Sequence, residues 1–385
     1  MSKRSVFCLI LIAFGLVAVA CSQKPASAPT STVQPGARAE ATPPPADQTS
    51  PPPLPNMLTQ AEGEVWLRRA GWNDFLLAGF GISVAPGDLL RVAEGSAVAV
   101  FCGDESAWDN GPTPVLADGQ EHGVPCQAGR PPRPWSDVAA LRAQEDSHVP
   151  YVLRPRNTAL LNDRPALGWH LLPDVDSYTV TLIGDDGQDR PPVQASGGEL
   201  DWPEDWPPLE ARATYVLIVE GGGLRSDGSG EGHAGLGFWL LPAAEAESVQ
   251  ALEARLRAQS FSATAADMLV AELYASHGLH AEAAQLLQNL TTSENVPAIW
   301  LGLGRVRLET GLASEAQEAF DQALSVAQAG GALETEAEAL VGLGLAARHQ
   351  DDAEAAEKHL RAARVLYEQI GDQDAVAQVD RLLAE

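Results

Sequence analysis

Apolar and polar positions change their period along this chain. From residue 58 to about 105 they alternate singly, as in "GEVWLRRAG" and "GISVAPGDLLRVAEGSAVAVFCGD". A period of two buries one face of each segment and predicts short strands. "APGD" and "AEGS" interrupt the alternation; Pro86 sets φ and Gly87 tolerates a positive φ, so both read as turns. A Pro-rich joint, "GRPPRPW", and a short polar piece from Ser136 to Ser147 lead into a second alternating region, from about Pro150 to Pro242. Its candidate strands are "RPALGWHLL", "DSYTVTLIG", "GELDWP", "ATYVLIVEGG" and "AGLGFWLLP", spaced as in a sandwich. From about Ala243 to Glu385 the period turns helical, with Pro297 the sole proline. The pattern predicts a multidomain chain: an all-β N-terminal half, made of a small β domain and a β-sandwich, followed by an all-α helical-repeat domain.

The helical region repeats itself. "GLHAEAAQLLQNL" (278–290), "GLASEAQEAFDQAL" (311–324) and "DDAEAAEKHLRAA" (351–363) align, and Gly278 and Gly311 are 33 residues apart. Trp300, Leu303, Gly304, Ala316, Phe320 and Ala323 fill the pattern W-x2-L-G, A-x3-F, A in one repeat. Leu343, Gly344, Ala356, Leu360 and Ala363 fill it in the next, and Tyr274, Ala283 and Leu287 fill part of an earlier one. This resembles the tetratricopeptide (TPR) family, in which stacked helix pairs bury a continuous core that no single pair could close. "AVAQVDRLL" reads as a capping helix. The interval from Gly304 to Gly344 is 40 residues, so longer helices or a longer loop are expected near "QAGGALETE". First helices line the concave face in that family, which places Met268, Glu272, Arg305, Leu345 and Arg348 there as candidate partner contacts. Two arginines on such a face either receive a carboxylate-bearing peptide or are ordinary solvated side chains.

Two further resemblances concern the β half. Gly63 and Val65 opening a strand, Gly87-Asp88 before another, and the strand from Ser96 to Phe101 resemble the FecR-like domain of ferric-citrate sensors, placed at 58–135 with a long loop. That resemblance implies a fold and an envelope location. It does not imply signalling, because the transmembrane helix and cytoplasmic arm of that family are not expected here. After a linker at 136–149, residues 150–242 ("PRNTALLNDRPALGWHLLPDVDSYTVTLI", then "PLEARATYVLIV") resemble a fibronectin type III or related immunoglobulin-like module. Trp169 would be its core tryptophan and Tyr215, six residues after Leu209, its tyrosine corner. Such modules space and present surfaces; the fold alone implies no chemistry.

The first residues change the picture of location. A basic start with Lys3 and Arg4 precedes an apolar stretch from Ser5 to Ala20, short of the roughly 20 residues a spanning helix needs. "AVAC" then resembles a bacterial lipobox. It implies cleavage before Cys21 and acylation there, so residues 1–21 read as a lipoprotein signal. An ordinary secretory signal or an uncleaved anchor is the alternative. Two or three acyl chains hold a protein stably at a membrane, at about 0.8 kcal/mol per buried CH2. Ser22 is not the aspartate associated with inner-membrane retention, so the outer membrane is expected in a two-membrane bacterium. Residues 22–57 are rich in proline and poor in apolar side chains, and read as a disordered tether.

Charge and cysteine usage agree with that address. The chain carries a formal charge of -27, which repels phosphate backbones and excludes nucleic acid as a partner. Cys102 and Cys126 remain after processing, and outside the cytoplasm a disulfide across the Gly- and Pro-rich loop between them is expected. A metal or redox pair is the alternative, with only His122 nearby as a further ligand.

No motif points to catalysis. "GEGHAG" (230–235) satisfies GxGxxG but precedes a strand, not a helix. "GDDGQDR" (184–190) and "SDGSGEG" (226–232) lack the calcium-loop frame and read as solvated turns. His277 and His280 fall at a turn without a third ligand. No nucleophile elbow, P-loop or zincin motif is present. Neither an enzyme nor a cofactor is expected. The sequence supports a lipid-anchored envelope scaffold that binds a protein or peptide through its repeats. The alternative is a glycan or surface-polymer binder using Trp202 and Trp206 in "LDWPEDWPP", since aromatic rings stack on sugars.

Overall fold

Seven short strands build the first β module in a computed structural model that describes residues 54–104, 108, 111–127, 148–227 and 237–384. These are β1 (Met57–Glu62), β2 (Val65–Arg68), β3 (Leu76–Leu77), β4 (Leu89–Val92), β5 (Ala97–Phe101), β6 (Thr113–Val115) and β7 (Glu121–Gly123). They form two antiparallel sheets, ordered β1-β5-β6 and β3-β2-β4-β7. Alternation decides the faces: Val65 and Leu67 point inward with Leu90 and Val92, while Trp66, Arg68 and Arg91 point outward. Cys102 and Cys126 are bonded, their Cα atoms 5.3 Å apart, and the cross-link closes a loop spanning 24 positions. Replacing both cysteines by alanine is expected to lower stability by about 3 kcal/mol through the freed loop entropy. A urea midpoint unchanged by the double replacement would refute that.

The second module is a two-sheet arrangement. Its strands are β8 (Val152–Arg154), β9 (Thr158–Leu160), β10 (Leu167–Trp169), β11 (Tyr178–Gly184), β12 (Val193–Ala195), β13 (Glu199–Leu200), β14 (Thr214–Gly221), β15 (Leu224–Arg225) and β16 (Phe238–Leu240). One sheet runs β13-β10-β8; the other runs β12-β11-β14-β16-β9, with β15 alongside β14. Trp169, Tyr178, Tyr215, Leu217 and Phe238 fill the space between them. The Tyr215 hydroxyl accepts a hydrogen bond from the Glu210 N–H at 2.6 Å and donates to Asp186 at 2.8 Å, fixing the corner before β14. "GDDGQDR" is a largely exposed turn that buries one pair. Asp186 and Arg190 from that stretch are ion-paired at 2.6 Å with side chains 0% exposed.

Eight helices follow: α1 (Ala243–Arg257), α2 (Ala263–Ser276), α3 (His280–Ser293), α4 (Pro297–Glu309), α5 (Ala313–Gly330), α6 (Leu333–His349), α7 (Ala353–Ile370) and α8 (Gln373–Ala384). Consecutive helices pack as neighbours from α1 through α8. Gly278 and Gly311 turn the chain between α2–α3 and α4–α5 at φ +73° and +74°; Asp351 takes the equivalent place before α7 at φ +59°. The longer repeat interval is absorbed by helix length, since α5 has 18 residues where α3 has 14. Phe320 is the central knob. A Cβ at Gly304 would lie 2.5 Å from its ring, and one at Gly342 would lie 2.6 Å away, so two helices close on one aromatic.

Both β modules are built onto the helices. Phe101 meets Phe261 edge-on at 5.8 Å, and Leu54, Met57 and Trp108 belong to the same buried cluster as Leu256, Met268 and Leu303. The sandwich binds the turns instead. Arg156 donates to the carbonyls of Thr310 (2.8 Å) and Gly311 (3.2 Å), Asn157 to that of Glu309 (2.7 Å), and the Ala159 N–H to that of Gly278 (2.9 Å). A buried guanidinium at the C-terminus of α4 satisfies carbonyls the helix leaves open and complements its dipole.

Candidate functional site

The faces of α2, α4 and α6 that lie on one side of the array enclose, with the first β module, a chamber of about 110 Å³. Four carboxylates (Glu272, Glu309, Glu334 and Glu338) and two guanidiniums (Arg69 and Arg305) line it. Arg69 follows β2, where the chain leaves the sheet. Its Nε donates to Glu334 Oε1 at 2.6 Å, one terminal nitrogen to Asp88 Oδ2 at 3.1 Å and the other to the Ser83 carbonyl at 2.9 Å. Three residues on, Trp72 is buried, its indole N–H donating to Asp372 Oδ2 at 2.9 Å, and the Asn73 N–H reaches the Ile370 carbonyl at 3.3 Å. Asp372 also accepts from the Ala375 N–H at 2.8 Å, so the residue that starts α8 holds the tryptophan as well.

Burial dominates the electrostatics here. Glu334 is pushed up to about 7 by loss of water and by Glu338, with Arg69 working against the shift. Burial also raises Asp88 above the usual carboxylate range, against the pull of Arg69. The Tyr367 hydroxyl, buried beside Glu338, Glu334 and Asp372, is raised well above an ordinary phenol. An acid raised on folding keeps its proton where the unfolded chain has lost it. The stability Glu334 contributes is therefore fully present below about pH 4.5 and lost as pH rises through 7. Glu334→Gln, which keeps an acceptor for Arg69, is expected to flatten the fall of stability with rising pH between pH 5 and pH 8. Parallel pH profiles of the denaturation midpoints would exclude this.

Met268, Glu272 and Arg305 converge on this chamber. Leu345 does not join them; it is buried in the cluster formed with α7 and α8. Arg348 donates to the Leu382 carbonyl and holds the last helix. Arg69, Trp72, Glu334, Glu338 and Asp372 were missed by sequence reasoning. The one local signal was "RRAGWND" itself, an arginine pair and a tryptophan in a turn, where neither residue type is needed to make the turn.

The remaining candidates resolve individually. Trp206, expected to be exposed, is 1% exposed, with its N–H bonded to the Pro191 carbonyl. Trp202 packs against it at 85° and donates to its carbonyl. The sandwich core takes the Trp206 ring, while Trp202 is partly buried against it. His280 faces Glu309 at 3.2 Å, while His277 turns back to the Leu273 carbonyl at 2.9 Å. No group of three or more metal-ligating side chains occurs among the described residues, and none of their helices is long and apolar enough to cross a membrane. Cys21, residues 22–53 of the expected tether, most of the linker and "GEGHAG" lie outside the described residues. Residues 54–57 are not tether, because Leu54 and Met57 are buried in the core shared with the helices. No protein-family model matches this chain, and no curated protein matches it.

Proposed function

We propose that this chain is a non-catalytic cell-envelope lipoprotein, anchored through Cys21, whose TPR-like helix pairs act as a protein–protein interaction scaffold. One observation carries the reading. The helical array already grips a folded β module through specific side-chain bonds, Arg69 to Glu334 of α6 and Trp72 to Asp372 at the start of α8. The repeat spacing, the Gly–Phe–Gly packing around Phe320 and the left-handed turns at Gly278 and Gly311 support the TPR-like assignment. A FecR-like first module and a fibronectin-like sandwich fit the two β modules. The lipobox and the proline-rich stretch after it support an anchored protein held off the membrane, at the outer membrane where a cell has two. Partner and membrane are thus the two expected contacts, with no nucleic acid and no cofactor.

Metabolic labelling with a fatty-acid analogue tests the anchor: label on the wild type and none on Cys21→Ala is expected. Crosslinking in intact cells tests the scaffold, with adducts expected that depend on residues 260–384. An unlabelled, cytosolic product without such adducts overturns the reading.

A further inference from the structure

The loop between β2 and β3 is the part of the β module that enters the carboxylate-lined helix face. We infer that this face is a recognition site for a polypeptide loop carrying arginine and tryptophan three residues apart, and that residues 69–75 are its internal, exchangeable occupant. The inference deepens the scaffold reading and rests on it.

Charge selects the partner. Glu334 and Glu338 of α6 and Asp372 before α8 stand on the helix side, and the group inserted among them is a guanidinium. A carboxylate-bearing peptide would be repelled there, so the partner has the opposite sign to the one the concave arginines suggest. Geometry selects the second anchor: Trp72 fills an apolar seat beside Tyr367 and Ile370 while its N–H meets Asp372. Arginine and tryptophan together give a charged donor and a large buried ring, two residue types enriched at the hot spots of protein interfaces.

Exchange is feasible because of how the occupant is held. Of the three bonds made by Arg69, those to Asp88 and the Ser83 carbonyl are internal to the β module; only the bond to Glu334 crosses to the helices. At the tip of the loop, Gly71 has no atom within 4 Å of where a Cβ would stand. The body of the module is secured elsewhere, by Met57, Phe101 and Trp108 against α1–α4. The loop itself holds the helices through the Glu334 bond, the Trp72 ring and its N–H to Asp372, and the Asn73 N–H to the Ile370 carbonyl. These can be released together while the module stays docked through its other contacts. A tethered occupant competes at an effective concentration in the mM range, so an external loop enters only when it carries both anchors or when the internal one is weakened.

A labelled peptide of residues 65–77, VWLRRAGWNDFLL, is the probe. The full chain with Arg69→Gln and Trp72→Ala is expected to bind it at least tenfold more tightly than the wild type. Adding Glu338→Arg is expected to remove that gain, as is a peptide with both anchor residues replaced. Trp72→Ala alone, expected to show a smaller gain, covers a failure of the double variant to fold. On the unaltered chain, an excess of peptide is expected to speed hydrogen exchange at residues 69–75 and leave β5 unchanged. Equal binding by wild type and folded variant, binding indifferent to Glu338→Arg, or exchange unaffected by peptide would each overturn the inference. None of these results bears on acylation of Cys21 or on crosslinks from other faces of the helices, so the scaffold reading stands or falls separately.

Discussion

Phe320→Ala is expected to lower stability by about 3–5 kcal/mol, near the top of the range for emptying a core site. The ring is 0% exposed. It is flanked by Gly304 and Gly342, at which a Cβ would fall 2.5 and 2.6 Å from the ring atoms. Glycine on both sides means that no side chain stands ready to swing into the vacated space. Closing it requires moving the backbones of α4 and α6, so the cavity persists and the loss exceeds the transfer energy of the ring. Urea unfolding measures the loss; a change below about 1 kcal/mol would show that the helices relax onto each other.

Asp186→Ala is expected to cost a similar amount, about 3–5 kcal/mol, for a different reason. The Asp186 carboxylate receives two bonds from Arg190, at 3.1 and 2.6 Å, and one from the Tyr215 hydroxyl at 2.8 Å. Removing it leaves a guanidinium buried with little beyond the Pro208 carbonyl, 3.2 Å away, and the Tyr215 ring. Burial alone would raise the Asp186 carboxyl, but Arg190, the Gln188 N–H and Tyr215 outweigh it and hold it below the ordinary range. Its contribution is accordingly present above the normal aspartate range and lost in acid as the folded carboxyl protonates. Asp186→Ala combined with Arg190→Met is expected to be milder than Asp186→Ala alone, because no orphaned charge remains. A double variant as unstable as the sum of its parts would show that the two residues do not act as a pair.

Much of the architecture was legible because its causes are local. The short β-rich run "SAVAVF", which is buried on both faces, and the glycines that end α2 and α4 each express a preference set within a few residues. The third turn was harder to read, because Asp351 adopts a left-handed conformation that aspartate tolerates but does not advertise. The candidate face was half legible. Helical phase correctly grouped Met268, Glu272 and Arg305, and Leu345 shares the phase of Glu338, seven residues earlier. Phase does not say what lies opposite, however. Two turns along α6 the neighbouring element has changed from the β module to the last helices, so Leu345 packs and Arg348 caps. Arg69 and Trp72 could not be found this way: their partners lie 265 and 300 residues downstream, and no periodicity spans such a distance. "GDDGQDR" was legible as an exposed turn, but its buried Asp186–Arg190 pair was not, for a related reason. Acids and glycines usually mark a wet turn, and only the fold brings the Tyr215 hydroxyl down over Asp186.

The seating of Phe101 against Phe261, and of Trp72 among α6–α8, has a consequence for inheritance. The helical segment cannot be lifted out and transplanted as an independent cassette, because doing so strips an oily wall that only its own strands cover. Recombination that swapped the strand module for an unrelated one would leave that wall bare and its carboxylates without their cation. The two halves are bound to evolve as a matched set.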